Sequence, residues 1–274
     1  MIRYGIIDYK IETIDIGNEL LLTFDSSASA NGMIGGDCTL VADWNTAFDS
    51  PVSPFTSVEV VDNVINLKGG SNITVPNSLF STDWDGYGHL ISIIDTLGCI
   101  VAAGDNAFSD WNNDTYGTIL ETAILPALVK IGWACFWWCP LLNNVNFNSV
   151  EAVGQESFDY LCGLSNLNFP ALKDASADAF RRNPNLTSVN FPNAITLGNT
   201  CFGECSSLNS IYLPVCSSLG STVGYDGIFS DIVDLSINLT IPAALMTCNG
   251  GDPDGDIQIL TAPKQRNTVT IIQV

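Results

Sequence analysis

Leu164-Ser165-Asn166-Leu167-Asn168-Phe169-Pro170 returns 22 residues later as Leu186-Thr187-Ser188-Val189-Asn190-Phe191-Pro192, and once more from Leu208 to Pro214. Working outward, Leu120, Leu142, Leu164, Leu186 and Leu208 keep one interval of 22 residues, and Phe136, Phe158, Phe180 and Phe202 keep the same interval in a second phase. A fixed period of this length is the signature of a stacked repeat. A unit this short cannot bury its own apolar face, so it stacks on its neighbours as a solenoid. Positions 0, 3 and 5 of each unit alternate inward as a short strand, and the proline at position 6 ends it because it has no N–H for a ladder. A second apolar pair follows, as in Ile131-Gly132 and Leu197-Gly198, and then a compact segment around the in-phase phenylalanine, such as Asp178-Ala179-Phe180-Arg181-Arg182. Its composition predicts a helical turn or 3₁₀ segment.

Val129-Lys130-Ile131-Gly132-Trp133-Ala134-Cys135-Phe136-Trp137-Trp138-Cys139 looks like an I-G-x-x-A-F-x-x-C segment, and Leu186 to Pro192 looks like L-T-S-V-x-I-P. On these motifs the chain resembles the BspA-like leucine-rich repeat family. The resemblance spans residues 86–247, with an irregular first unit at Gly104–Phe108, a five-residue insertion near Gly224-Tyr225-Asp226 and a last unit at Leu235–Pro242. The expected fold is an α/β repeat solenoid of 22-residue units. Residues 1–85 precede it as a β-rich module, with strands at Ile11–Ile16 and Leu20–Phe24 and a hairpin turning at Asp62-Asn63. Residues 248–274 close the chain, and Thr268–Val274 alternates as a strand that caps the solenoid or pairs with a neighbouring chain. Leu21–Asp25, Asp43–Thr46 and Pro54–Val58 are similar to modules of tailed-phage surface proteins that carry such repeats.

Composition narrows the function. The 274 residues are 46% hydrophobic, which supports a sizeable core, and carry a formal charge of −20. Nucleic acid and anionic membranes need clustered Lys and Arg, so neither is an expected partner. No apolar stretch reaches the roughly 18 residues of a spanning helix. The first residues lack the apolar core and cleavage site of a secretory signal. His89 is the sole histidine, so any triad, dyad or histidine metal site rests on it. Nine cysteines, an odd number, fall mostly in phase with the repeat and read as small buried thiols.

Each candidate for chemistry has a plainer reading beside it. Cys135/Cys139 and Cys201/Cys205 lie three repeats apart, roughly 14 Å at about 4.8 Å per rung, too far to share one zinc ion. Asp252-Pro253-Asp254-Gly255-Asp256 opens like a calcium loop, yet Ile257 and Pro263 stand where Gly and Glu are needed, leaving a turn of solvated carboxylates. Asp83 and Asp85 beside Trp84 form the one tempting carboxylate pair, better read as a surface loop. Trp133, Trp137 and Trp138 form either an exposed aromatic platform or partly buried repeat positions. No catalytic residue, metal or cofactor is expected.

The outward strand positions are more informative. Stacked rungs would line Asn144, Asn146, Asn166, Asn168, Ser188, Asn190, Ser210 and Tyr212 into two polar columns, for binding or for stiffening by amide–amide bonds. A stacked repeat builds an extended binding surface. The expected function is therefore non-enzymatic recognition by a phage virion component, tail- or capsid-associated, meeting a host-surface receptor or a neutral glycan. It would be displayed on the virion surface beside other virion proteins, as a homo-oligomer. The alternatives are a bacterial or protist cell-surface adhesin and, less favoured, a polysaccharide-cleaving enzyme.

Overall fold

The computed structural model describes residues 19–25, 30–31, 41–48, 55–69, 72–81, 90–96, 98–109, 118–160, 163–220, 227–232, 234–247, 255–262 and 266–274. Its elements run β1 (Glu19–Phe24), α1 (Val41–Ala47), β2 (Ser57–Val61), β3 (Val64–Lys68), β4 (Ile73–Val75), β5 (Leu90–Asp95) and β6 (Ile100–Ala103). The repeats follow as pairs of short strands: β7 (Thr122–Ile124) and β8 (Lys130–Ile131), β9 (Asn144–Asn146) and β10 (Ala152–Val153), β11 (Asn166–Asn168) and β12 (Asp174–Ala175). Next come β13 (Ser188–Asn190), β14 (Thr196–Leu197), β15 (Ser210–Tyr212) and β16 (Ser218–Leu219). The chain closes with β17 (Ser236–Ile241), a 3₁₀ turn (Ala243–Met246), α2 (Gly255–Leu260) and β18 (Thr268–Gln273).

Each repeat is one rung with two strands and a turn. The first strands stack in parallel as β5-β7-β9 and as β11-β13-β15-β17-β18, with no ladder joining β9 to β11. The second strands stack as one parallel sheet, β4 through β16. Leu164, Leu167 and Phe169 point inward and are buried, as the alternation at 0, 3 and 5 requires. On the third side one phenylalanine per rung forms a column: Phe80, Phe108, Phe136, Phe158, Phe180, Phe202 and Phe229. Neighbouring centroids are 4.9 to 6.2 Å apart with planes within 19°. Such pairs contribute about 0.5–1.5 kcal/mol each beyond area burial.

The column starts earlier than the repeat motifs do. β4 pairs in parallel with β6, and Phe80 stacks on Phe108, so the first rung falls inside residues 1–85. Irregular spacing hides it, since Phe80, Phe108 and Phe136 are 28 residues apart rather than 22. Ahead of it, β1 pairs antiparallel with both β5 and β3, and β2 folds back on β3 through Asp62-Asn63 as expected. Trp44, Phe48 and Phe55 pack with Phe24 against Phe80, closing the end of the column with apolar rings. At the other end β18 lies parallel to β17. The predicted strand at Ile11–Ile16 lies outside the described residues.

The helical segment expected around each phenylalanine is absent, and with it the α/β character: the described repeats consist of strands and turns. Each turn keeps at least one i→i+3 bond, such as Arg181 N–H to Asp178 O at 3.2 Å, and the inner turns give alternate donors to the next rung. The Phe158 N–H donates to Ala179 O at 2.8 Å and Phe180 N–H to Cys201 O at 3.0 Å. Alternate N–H groups can point along the stack because residues two before and two after the phenylalanine are left-handed, as at Asp178 (φ 56°) and Arg182 (φ 55°). A helix would turn those donors back on its own segment. No helix among the described residues is long and apolar enough to cross a membrane.

Candidate functional site

The eight residues singled out from the outward strand positions fall into two groups. Strand pairing sets Asn166 beside Ser188 and Ser188 beside Ser210, and Asn168 beside Asn190 and Asn190 beside Tyr212. Asn144 and Asn146 pair instead with Thr122 and Ile124, on the far side of the break between β9 and β11. The structure therefore brings six of the eight into one ladder. It adds Asn238 in register with Ser210, while Thr240, beside Tyr212, is buried. Asn166, Asn168 and Asn190 are exposed and Tyr212 is 41% exposed, whereas Ser188 and Ser210 are half-buried.

The columns bond to themselves in part. Asn190 donates from Nδ2 to Asn168 Oδ1 at 2.7 Å, and Ser188 Oγ donates to Asn166 Oδ1. Across the break Asn144 Nδ2 reaches Thr122 Oγ1 at 3.4 Å. Stiffening is thus a real part of what these side chains do. Each bond uses only some of an amide's capacity, two donors and an acceptor with two lone pairs, so further groups on the exposed amides face solvent.

A second cluster lies on the turn corner of the third to fifth repeat turns. Trp137 and Trp138 meet at 85° with centroids 5.6 Å apart, and Tyr160 of the next rung sits 6.3 Å from Trp138. The Arg182 guanidinium, one rung further, covers the Tyr160 ring at 4.1 Å. Arg182 also donates from Nε to Asp159 Oδ1 at 2.9 Å, and the Asp159 side chain is fully buried. Burial pushes the Asp159 carboxyl above its usual range against the pull of Arg182, and the bond to Asp159 holds Arg182 charged. Arg181 pairs with Glu204 and lies 3.5 Å from Asp178. Trp137 and Trp138 are half-buried, while Trp133 is 39% exposed. The sequence drew attention to the tryptophans but not to Tyr160 or Arg182; lining up the second residue after each phenylalanine would have found both.

The thiols sit where packing wants them. Cys135 and Cys201 fill the small position before the phenylalanine, and burial pushes both thiols well up. Cys139 and Cys205 donate from Sγ to the carbonyls of Phe108 and Phe180, the phenylalanines one rung back, each at 3.3 Å. Asn183 does the same to Phe158 O at 2.8 Å. The Cys99 and Cys205 thiols are pushed up to about 12, chiefly by burial. Among the described residues no group of His, Cys, Asp and Glu is disposed to hold a metal. Asp83, Asp85, Asp252 and Asp254 lie outside the described residues. Asp256 corrects the solvated reading of its turn: it is buried, and its Oδ1 accepts the Ile228 N–H at 2.7 Å, tying α2 to the last phenylalanine turn.

Residues 129–247 match, in six copies, the family described as the BspA type leucine rich repeat region. Over these residues the chain is similar to BspA-type leucine-rich repeats. A leucine-rich repeat protein from Bacteroides ovatus is a structural neighbour at 14% identity and a TM-score of 0.23. The alignment covers 73% of this chain and 66% of that one, just under two thirds of its length. No curated protein matches the chain. A repeat array of this family points to a surface or interaction role.

Proposed function

We propose that this chain is a non-enzymatic recognition protein, carried on a phage virion, that holds a neutral glycan of a host surface against its polar strand ladder. The observation that supports the binding reading best is the register that sets Asn168, Asn190 and Tyr212 in one exposed row beside Asn166, Ser188 and Ser210. Rungs about 4.8 Å apart repeat at nearly the length of a sugar residue. Asparagine amides match the mixed donors and acceptors of sugar hydroxyls, and the Tyr212 ring offers a flat apolar face. The bonds within the ladder serve this role too, because side chains already fixed lose less entropy when a ligand arrives. A chain of charge −20 repels strongly anionic glycans.

The test is a triple variant of the ladder, Asn166→Thr, Asn168→Thr and Asn190→Thr, on a glycan array. Threonine keeps strand propensity while removing the amides. Loss of binding in a folded variant is expected, and unchanged binding discards this face. The virion assignment is supported by composition: only nine Lys and Arg leave few sites for trypsin-like proteases on an exposed particle. Mass spectrometry of purified particles checks it; recovery from a cell-envelope fraction alone would make the chain an adhesin.

A further inference from the structure

Distinct from the strand ladder, the turn corner built by Trp137, Trp138, Tyr160, Arg181 and Arg182 is, we propose, a docking hot spot for a protein surface with an apolar centre and a Lys/Arg rim. The residue types are the first reason. Trp, Tyr and Arg are the side chains that dominate protein interfaces, and here they converge from three successive rungs.

Backbone conformation is the second. Trp138, Tyr160 and Arg182 occupy the left-handed position two after the phenylalanine, with φ of 53°, 63° and 55°. The turn takes that conformation in each of the five rungs where this position is described, and Glu204 (φ 61°) and Asp231 (φ 56°) adopt it too. It does not need a large side chain there: Gly, Asn or Asp enters the left-handed region at less cost, and a bulky residue is an outlier. Stacking is secured elsewhere, by the phenylalanine column and the backbone bonds between rungs; Arg182 also answers the buried Asp159, but nothing in the turn calls for a ring at Trp138 or Tyr160.

The geometry selects protein over sugar. A pyranose stacks on an open, flat ring face. Tyr160 instead has the guanidinium over it, and Trp137 stands at 82° to Tyr160 and 85° to Trp138. The rings form a faceted, pre-set surface that receives a projecting side chain. Electrostatics selects the sign of the partner. Asp159 answers Arg182, and Glu204 and Asp178 answer Arg181, so neither guanidinium awaits an anion. With Glu156 and Asp231 in the same stack of turns, Asp159, Asp178 and Glu204 make five carboxylates against the two guanidiniums, within a chain of charge −20. That field steers a basic partner in and repels an acidic one, including a second copy of this chain.

The experiment uses the full chain and a random peptide display library, with Trp138→Asn and Tyr160→Asn as variants. Asparagine suits the left-handed backbone, so both variants should melt at or above the wild-type temperature. Enriched peptides should join Lys or Arg to Leu, Met or an aromatic residue and bind more weakly at high salt. They should bind each variant about tenfold or more weakly. The ladder triple variant should bind them as wild type does, which separates this result from the fate of the glycan reading. Three results would overturn the proposal: peptides that bind wild type and variants equally, or enrichment of acidic sequences; quenching of tryptophan fluorescence by neutral cello-, chito- or malto-oligosaccharides in a Tyr160-dependent way, which would make the corner a sugar site; or variants destabilised as badly as Phe180→Ala, which would make the rings structural.

Discussion

The third residue after each phenylalanine shows what a single side chain contributes. Cys139, Asn183 and Cys205 share that place and all donate to the phenylalanine carbonyl one rung back. The cysteine therefore closes a buried acceptor. Its size and burial could be read from its phase, but its bond could not, because the acceptor lies in another repeat. Cys205→Val keeps the volume and leaves the Phe180 carbonyl only its bond from Asn183 Nδ2 at 2.7 Å, so it should cost about 0.5–1.5 kcal/mol in denaturant unfolding; no loss would show that the bond is incidental. Asp159 carries a pH signature. Its carboxyl is raised by burial, so the folded chain binds that proton more tightly than the unfolded chain, whose carboxyl titrates near about 4. In the window from there up to the raised folded value the native state holds more protons. Stability then falls as pH rises and recovers as pH falls. The stability of wild type relative to Asp159→Asn should decline as pH is raised through that window; a difference that does not change with pH would contradict the assignment.

At the level of the element, strand and turn differed in how much could be read ahead. The strand was legible because its determinants are local: alternation at Leu164, Leu167 and Phe169, and a proline that stops the ladder. The turn was not, because its donors bond to the following rung and no window of one repeat contains both partners. For the same reason the polar ladder was legible as a column but its break between β9 and β11 was not. The glycine that opens each turn belongs with the local features, though its reason is tertiary. A Cβ built on Gly154 would sit 2.5 Å from Gly132 O in the rung before. Ser176 occupies the equivalent corner one rung later, so a Cβ can be accommodated when the backbone shifts. Gly154→Ala should accordingly destabilise by about 1–3 kcal/mol without abolishing the fold, as overpacking does. Phe180→Ala, emptying a site stacked on Phe158 and Phe202, should cost more, about 3–5 kcal/mol by the same thermal or denaturant measurement.

For the whole molecule, stability is set by rung-on-rung contact along one axis, so integrity depends on register more than on length. Each described phenylalanine of the column stacks on those of the adjacent rungs, and, apart from the break between β9 and β11, each inner strand pairs with the one before and the one after. Removing residues 187–208 takes out one whole unit of 22 residues. It brings β11 against β15, β12 against β16 and Phe180 onto Phe229, all with their original facing. The Asp159–Arg182 pair survives, and Arg181 loses Glu204 while keeping Asp178. This shortened chain should remain folded, with strand-type circular dichroism and a cooperative melt at reduced temperature. A deletion shorter by one residue should fail, because it turns every inward position of the joined strand outward. The ends behave differently from the middle, since the N-terminal end of the column is closed by Trp44, Phe48 and Phe55 around Phe80. Removing residues 1–71 would bare the Phe80 ring and the outer edge of β5, and such a chain should aggregate where the internal deletion stays soluble. Soluble, folded protein from that truncation would show that the repeats need no cap at this end.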